Sequence, residues 1–161
     1  LEEGLAYDRC LVGVVTDMQG WESLADHDVQ DISHMRRVLR TQIDVVLDEG
    51  AGVLNADDER VAELASLCDG EVLLYSLHAN NATIAAHRNE KNGRAVFLLD
   101  GRVVLAHGSK ERVLGQLSAL PLASGTAPDT ASLLAAIATA WALDIAPDLI
   151  AAGIKTFEYQ R

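Results

Sequence analysis

The 161-residue sequence is poor in aromatic side chains and in cysteine. Phe, Trp and Tyr make up only 4% of the chain, although 49% of its residues are apolar. A core at this length must therefore be built mainly from aliphatic side chains. Charged residues at 23% are ordinary for a globular protein and argue against a disordered chain. The length predicts one domain, or two small lobes.

Basic residues are also scarce. The chain has 13 Lys and Arg against 24 Asp and Glu, which gives a net charge of −11. A nucleic-acid-binding protein normally presents a basic face, so we expect no nucleic-acid partner. An acidic surface is typical of a soluble protein, and it could also favour basic partners or Mg²⁺.

The two cysteines, Cys10 and Cys68, match no metal-binding or CxxC spacing. We expect both to be reduced core residues of a cytoplasmic protein. The longest apolar stretch, from Leu133 to Leu143, is too short to span a membrane, so no membrane association is expected. The chain begins without Met and without a recognisable signal peptide, and we expect it to be a piece of a longer protein.

In the first half of the chain, short apolar runs alternate with amphipathic segments. This alternation predicts βαβ units and a mainly parallel sheet flanked by helices. The first strand, over 10–16, is expected at the centre of the sheet. A turn is predicted over 48–50. The other predictions are strands over 52–54 and 71–76, a helix from Asp28 or Asp31 to Thr41, and a helix from Asp57 or Asp58 to Cys68.

The second half contains a strong hairpin signal. Asp100-Gly101 separates two apolar runs, 94–99 and 103–107, and this dipeptide favours a tight two-residue turn. An antiparallel hairpin is therefore predicted as an insertion beside the parallel sheet.

A turn-rich stretch over 124–128 follows the hairpin region. After it, an Ala-rich helix is predicted from Asp129 or Thr130 to about Leu143. Pro147 is placed to start a last short helix.

Seven segments together carry a resemblance to a known family. They are GLAYDRC, VGVVT, RTQIDVVL, VLNADD, LCDGEV, AVFLLDGR and LAAIATAWAL, in this order and spacing. The set resembles the central domain of the cyanophycin synthetase family, bacterial relatives of the Mur peptidoglycan ligases. The resemblance covers nearly the whole chain. It implies that residues 1–161 form part of a Mur-ligase-like, ATP-binding central domain, without the upstream phosphate-binding loop and the downstream C-terminal lobe.

The resemblance also implies a function for the parent protein. The parent would be an ATP-dependent ligase that joins aspartate and arginine into a polymer through acyl phosphates, with ATP and Mg²⁺ as cofactors. The partners of this chain would be the remainder of that ligase, its two amino acids and their polymer. No G-x-x-x-x-G-K-[ST] pattern occurs in the chain. Nothing here would hold the β- and γ-phosphates, so we expect the chain alone to be inactive and to bind no cofactor.

Asn55, Asp57 and Asp58 match the NADD segment of the family, which lies near the nucleotide in Mur ligases. They are the predicted cofactor-binding residues, and no residue is assigned a catalytic role. Several other family positions have changed chemistry: Asp17 replaces Asn, Trp21 and Glu22 replace Asp-His, Leu39 replaces Lys, and Ser132 replaces Asn.

These changes leave two interpretations open, because neither Leu nor Trp can bind Mg²⁺. In the first interpretation, the Mur-like site of the parent has lost its activity, and the domain is a structural or assembly module. Alternatively, the site is rebuilt from neighbours such as Asp17, Glu22 and the Asp26-His27 pair.

The densest group of possible metal ligands lies in the loop over 26–34. It contains Asp26, His27, Asp28, Asp31 and His34. Such mixed nitrogen and oxygen ligands suit several divalent metals. The other interpretation is a solvated acidic loop before a helix, where acids are electrostatically favourable.

The resemblance further implies that strands upstream of this chain are missing from its sheet. The edge that they leave open favours self-association.

Overall fold

The computed structural model describes residues 7–119 and 127–156. Within these residues, six strands form one sheet, and their order across the sheet follows their order in the chain. The strands are β1 (Cys10–Val15), β2 (Val46–Asn55), β3 (Glu71–Ser76), β4 (Arg94–Leu99), β5 (Arg102–His107) and β6 (Lys110–Gln116). The helices are α1 (Ile32–Asp44), α2 (Glu59–Ala62), α3 (Ala82–Lys91), α4 (Ala127–Ala142) and α5 (Pro147–Thr156). None of the described helices is long and apolar enough to cross a membrane.

The sheet is parallel in its first part and antiparallel in its last part. Strands β1 to β4 pair in parallel, and at least one helix connects each pair. Strand β5 runs antiparallel to both β4 and β6. The predicted α/β fold with an antiparallel hairpin is therefore confirmed, and β4 belongs to both parts. The expectation that the first strand is central was wrong, because β1 lies at an edge of the described sheet.

The hairpin between β4 and β5 turns through the dipeptide that the sequence indicated. Asp100 has φ 50° and Gly101 has φ 72°. Positive φ at both central residues is typical of the type I′ turn, whose twist matches that of the flanking strands. Leu99 pairs with Arg102 next to the turn.

Helices cover both faces of the sheet and bury two apolar clusters. On one face, α1 and α3 contribute Leu39, Ile43 and Ile84 to the first cluster. On the other face, α4 and α5 contribute residues such as Leu134 and Ile150 to the second cluster. Both clusters are largely aliphatic, as the low aromatic content predicted.

The beginning of α1 was predicted correctly. Asp31 caps the helix, because its carboxylate accepts a hydrogen bond from the backbone N–H of His34 at 2.8 Å. Asp28 is not the cap. It has φ 60° and ends a separate 3-10 segment, Trp21–His27.

The predicted turn over 48–50 was wrong, because those residues lie within β2. The pairing of β1 with β2 shifts between Cys10 and Val12, whose partners are Val46 and Ala51. The extra residues of this bulge are all in β2. Asp48 and Glu49 beside Gly50 are typical of a turn, but they lie in the bulged part of β2.

Two helix predictions and one turn prediction needed correction. The helix predicted to end at Cys68 is the short α2 followed by a 3-10 segment, Glu63–Leu67, with Asp58 as the cap of α2. Helix α4 begins at Ala127, so Asp129 and Thr130 lie inside it and not at its start. Of the turn predicted over 124–128, residues 127 and 128 belong to α4, and residues 124–126 lie outside the described residues.

Two elements, α3 and β6, had no predicted counterpart. Helix α5 begins at Pro147, as predicted. Both cysteines are free, and each is only half-buried.

Candidate functional site

The predicted cofactor-binding residues lie where the parallel strands end. The register places Val15 beside Leu54 and Asn55 beside Tyr75, so β1, β2 and β3 end at the same edge of the sheet. We call this the carboxyl edge. In open α/β sheets, ligands bind in the crevice outside this edge.

Asn55, the last residue of β2, connects the ends of two strands. Its side-chain Nδ2 donates a hydrogen bond to the backbone oxygen of Thr16 at 2.9 Å, just after β1. Its Oδ1 accepts a hydrogen bond from the backbone N–H of Asp57, also at 2.9 Å. Both ends of the amide are therefore used inside the protein, and they fix the chain as it leaves β2.

Asp57 joins the segment after β2 to the end of β3. Its carboxylate accepts hydrogen bonds from the hydroxyl of Ser76 at 2.6 Å and from the backbone N–H of Leu77 at 2.7 Å. A third hydrogen bond comes from the side-chain amide of Asn81 at 3.1 Å. All three donors are neutral, so none of them is a cationic partner of the carboxylate.

Asn81 adds a second connection, which the sequence interpretation missed. It caps α3 through its Oδ1, which accepts hydrogen bonds from the backbone N–H groups of Thr83 and Ile84 at 2.9 and 3.1 Å. Its Nδ2 donates to the backbone oxygen of Ala56 at 2.9 Å. An Asn immediately before a run of helix-forming residues is a cap signal that could have revealed α3.

Asp58 has a local structural role. Its carboxylate caps α2 by accepting a hydrogen bond from the backbone N–H of Arg60 at 3.0 Å. It also pairs with the guanidinium of Arg60 at 3.1 Å. This hydrogen-bonded pair raises the pKa of Arg60.

Two adjoining cavities open at the carboxyl edge, and both are lined by Asp17, Gln19 and Asn55. The Tyr75 cavity has a volume of 340 Å³ and the Asp57 cavity a volume of 570 Å³. The Tyr75 cavity is also lined by Thr16, Tyr75, Leu77, Ala131 and Ser132. The Asp57 cavity is also lined by Asp57, Asp58, Glu59 and Arg60.

The walls of these cavities are acidic. Asp17 accepts hydrogen bonds from the Thr16 hydroxyl at 3.0 Å and from the Gln19 N–H at 2.9 Å, and it forms no ion pair within the described residues. Among the described residues, Arg60 is the one basic side chain that lines either cavity, and it is already paired with Asp58. A bare phosphate group is therefore repelled here unless a cation accompanies it.

Tyr75 is a site residue that the sequence interpretation missed. It is only 1% exposed and lines the Tyr75 cavity. None of the hydrogen bonds among the described residues involves its hydroxyl. Burial, with the charges of Asp17 and Asp57, raises the pKa of Tyr75. The phenol is therefore protonated at neutral pH and able to donate a hydrogen bond into the cavity.

The residues at which this chain differs from the family pattern lie in different parts of the structure. Leu39 is 9% exposed and belongs to the apolar cluster beneath α1, so it presents no polar group to the carboxyl edge. Ser132 lines the Tyr75 cavity. Trp21 and Glu22 lie in the 3-10 segment and line neither cavity.

The structure gives little support to a metal site built from neighbouring residues. Of the proposed replacements, Asp17 lines both cavities, whereas Glu22, Asp26 and His27 line neither. Over residues 7–119 and 127–156, no three His, Cys, Asp or Glu side chains are placed to hold a metal ion. In the 26–34 loop, Asp31 serves as a helix cap.

Solved structures share the fold of this chain. One is a UDP-N-acetylmuramoylalanyl-D-glutamyl-2,6-diaminopimelate–D-alanyl-D-alanyl ligase from Acinetobacter baumannii, which superposes with a TM-score of 0.60 and 14% sequence identity. The match covers 93% of this chain and 29% of that one. A UDP-N-acetylmuramate:L-alanyl-gamma-D-glutamyl-meso-diaminopimelate ligase from Neisseria meningitides matches 81% of the chain, with a TM-score of 0.54, 14% identity and 36% of that chain covered. The fold therefore defines an α/β domain of the Mur-ligase type.

In sequence, the chain is similar to part of cyanophycin synthetase. It is 33% identical to the cyanophycin synthetase of Synechocystis sp. and 32% identical to that of Crocosphaera subtropica, in each case over 98% of this chain. The predicted resemblance to cyanophycin synthetase and to the Mur ligases is thus confirmed. The chain spans 18% of the length of each of these relatives. No protein-family model matches it.

Proposed function

We propose that this chain is the nucleotide-side part of the Mur-ligase-like central domain of an ATP-dependent ligase that resembles cyanophycin synthetase. The parent activates a carboxylate as an acyl phosphate with MgATP, and an amine then attacks. Its substrates are aspartate, arginine and their polymer, and it works in the cytoplasm. Asn55, Asp57 and Asp58 lie on the nucleotide side of its site. The chain alone carries out no reaction and binds neither ATP nor Mg²⁺.

One observation carries this proposal: the polar side chains at the carboxyl edge bind one another. Asn55 uses both ends of its amide on Thr16 and Asp57. Asp57 uses both carboxylate oxygens on Ser76 and Leu77. These groups shape the edge and do not supply the ring of backbone N–H donors and the Lys that hold the phosphates of ATP. Those parts belong to the rest of the parent.

A second candidate function is a non-catalytic structural or assembly module. Leu39 favours it, because this residue is in the core where the family resemblance implies a Lys. Trp21 favours it too, because it lines neither cavity where the resemblance implies an acid. In this case the Mur-like half of the parent turns over no substrate.

Calorimetric titration of the chain with MgATP tests the first proposal. We expect no measurable heat of binding. Micromolar affinity would show that this chain holds the phosphates by itself, and the proposal would then be wrong.

A substitution in the complete parent protein distinguishes the two candidate functions. Asp17→Ala removes a side chain that lines both cavities and makes only local hydrogen bonds. If the Mur-like half is catalytic, the amine-dependent release of ADP by this half should fall at least about tenfold. If the domain is only structural, the rate should not change. Asp48→Ala, an exposed acid that lines neither cavity, is the matched control.

A further inference from the structure

A groove beside α1 has walls that are rich in arginine. Its volume is 610 Å³, and it is lined by Asp31, Ser33, His34, Arg36, Arg37, Arg40 and Leu67. We call it the arginine groove. Its lining contrasts with that of the Asp57 cavity, where the described residues include four acids and one arginine.

The arginine groove is formed within the domain, where α1 packs against the 3-10 segment Glu63–Leu67. Arg36 of α1 binds Glu63 of this segment at 3.0 Å, and Leu67 of the same segment lines the groove. Both elements lie between β1 and β3 in the chain. The walls of the groove therefore do not depend on a free edge of the sheet.

The cationic groups of the groove are available to a ligand. Arg37 is exposed and forms no ion pair within the described residues. Arg36 pairs with Glu63, and both side chains are about half-exposed. Arg40 pairs with Asp44, and these side chains are 55% and 36% exposed. Exposed pairs of this kind contribute little to stability, so a carboxylate of a ligand can replace either acid at small cost.

The other polar residues of the groove oppose an anion only weakly. Asp31 is the one acid in the described lining, and its carboxylate already caps α1 at the N–H of His34. The Nδ1 of His34 accepts a hydrogen bond from the N–H of Gln30 at 3.4 Å. The proton of the neutral ring is therefore on Nε2, which can donate to a ligand.

The spacing of the arginines indicates what kind of anion fits. Arg36 and Arg40 are one helical turn apart, so their Cβ atoms are separated by about 5–6 Å. In an extended peptide, alternate side chains lie on the same side and about 6.6 Å apart. Acidic residues at alternate positions of such a peptide therefore match the two arginines. Each guanidinium can bind a carboxylate through two parallel hydrogen bonds.

A nucleic acid fits the arginine groove less well. Proteins that bind single strands without sequence preference stack the bases on aromatic side chains. None of the described lining residues of the groove is aromatic. The net charge of −11 also repels a long polyanion more strongly than a short acidic segment.

We propose that the arginine groove binds an extended acidic segment of a partner protein, with Asp or Glu at alternate positions. This proposal is independent of the ligase function proposed above. Arg36 and Arg40 each bind one carboxylate, and Arg37 adds a third cationic contact. Leu67 packs against the aliphatic part of the segment.

Fluorescence anisotropy tests the proposal with a labelled peptide of about ten residues, in which Asp alternates with Ser, at about 0.1 M salt. We expect a dissociation constant of about 10–100 µM, which increases with salt. Arg37→Glu should raise it at least about tenfold, because a carboxylate replaces a guanidinium beside the acidic peptide.

Arg102→Glu on β5 is the matched control, because it makes the same change in net charge away from the groove. It should raise the dissociation constant by less than about twofold, since salt screens distant charges. Circular dichroism checks that each variant is folded. Equal effects of the two substitutions would overturn the proposal, because net charge alone would then explain the binding.

A second peptide tests the spacing. It carries the same number of Asp residues at every third position, so that they alternate between the two sides of the extended chain. It should bind at least about threefold more weakly. Equal binding of both peptides, no binding of either, or tighter binding of a single-stranded DNA of the same charge would each overturn the proposal. A dimer of the chain in sedimentation velocity that Arg37→Glu dissociates would overturn it too, because the groove would then hold a second copy.

Discussion

The hydroxyl of Ser76 donates a 2.6 Å hydrogen bond to the carboxylate of Asp57, and Ser76 is completely buried. The bond joins the end of β3 to the segment that follows β2. A buried hydroxyl without a partner is costly. The same hydroxyl lies 3.0 Å from the backbone oxygen of His78, so Ser76 is held by a local acceptor and by a carboxylate that is 19 residues away in the chain.

Asp57→Ala should strongly destabilise the protein. The substitution removes the acceptor of the Leu77 N–H and one of the two acceptors that Ser76 and Asn81 each have. We expect the free energy of unfolding to fall by about 2–3 kcal/mol. Urea unfolding followed by circular dichroism measures this change. Asp58→Ala removes the cap of a short helix and a half-exposed ion pair with Arg60, and it should cost about 1 kcal/mol. An equal loss in both variants would contradict the structural role of Asp57.

Arg94→Ala should destabilise the other end of the sheet. The Arg94 side chain is 12% exposed and pairs with Glu71 through two nitrogens. It also donates to the backbone oxygen of Trp141 at 2.8 Å and lies 5.2 Å from the centre of the Trp141 ring. We expect a loss of about 2–3 kcal/mol in the free energy of unfolding.

Arg94→Lys distinguishes the effect of the charge at this position from the effect of the bidentate contact. Lys keeps the charge but cannot form the two-pronged contact, so most of the loss should remain. Arg102→Ala removes an exposed ion pair with Asp100 and should change stability by less than about 0.5 kcal/mol. If Arg94→Lys unfolds like the unsubstituted chain, charge alone explains the role of Arg94.

The stability of the protein should fall in mild acid because of His87. Its ring binds the backbone oxygen of Val72 at 3.0 Å. Burial lowers the pKa of His87 below its usual value. The unfolded chain therefore takes up a proton at a higher pH than the folded chain. The free energy of unfolding is unaffected above a pH of about 6.5 and decreases as the pH falls below it.

Urea unfolding at a series of pH values between about 8 and 5 tests this sign. His87→Gln should make the curve flatter in this range. Asp31 does not interfere, because its hydrogen bond to the N–H of His34 lowers its pKa from 3.8, and its contribution is lost only in stronger acid. A curve that keeps its slope in His87→Gln would assign the effect to other groups.

Local signals allowed the correct prediction of several elements. β3 was predicted with its observed bounds, because an apolar run ends at polar residues on both sides. The hairpin was predicted because Asp100-Gly101 favours positive φ. By contrast, α3 buries only Ile84, so its sequence has no periodic apolar signal. β6 was missed for the same reason, since most of its residues are exposed.

The candidate site could be predicted only in part. A sequence interpretation can place Asn55, Asp57 and Asp58 after a strand. It cannot show that the carboxylate of Asp57 is used by Ser76, because this depends on how β2 and β3 align. Tyr75 was overlooked because it resembles one more apolar residue in a buried strand, and only the pairing with Asn55 brings it to the carboxyl edge.

Helix α4 packs against β1, β2, β3 and β4. Near its start, Ser132 lines the Tyr75 cavity. Near its end, the backbone oxygen of Trp141 is held by Arg94. These two positions are about 14 Å apart along the helix axis. If the loss of the Arg94 contact tilts α4, Ser132 near the other end of the same helix is displaced as well. A substitution of Arg94, which lines neither cavity, would then change the shape of the Tyr75 cavity through the position of α4.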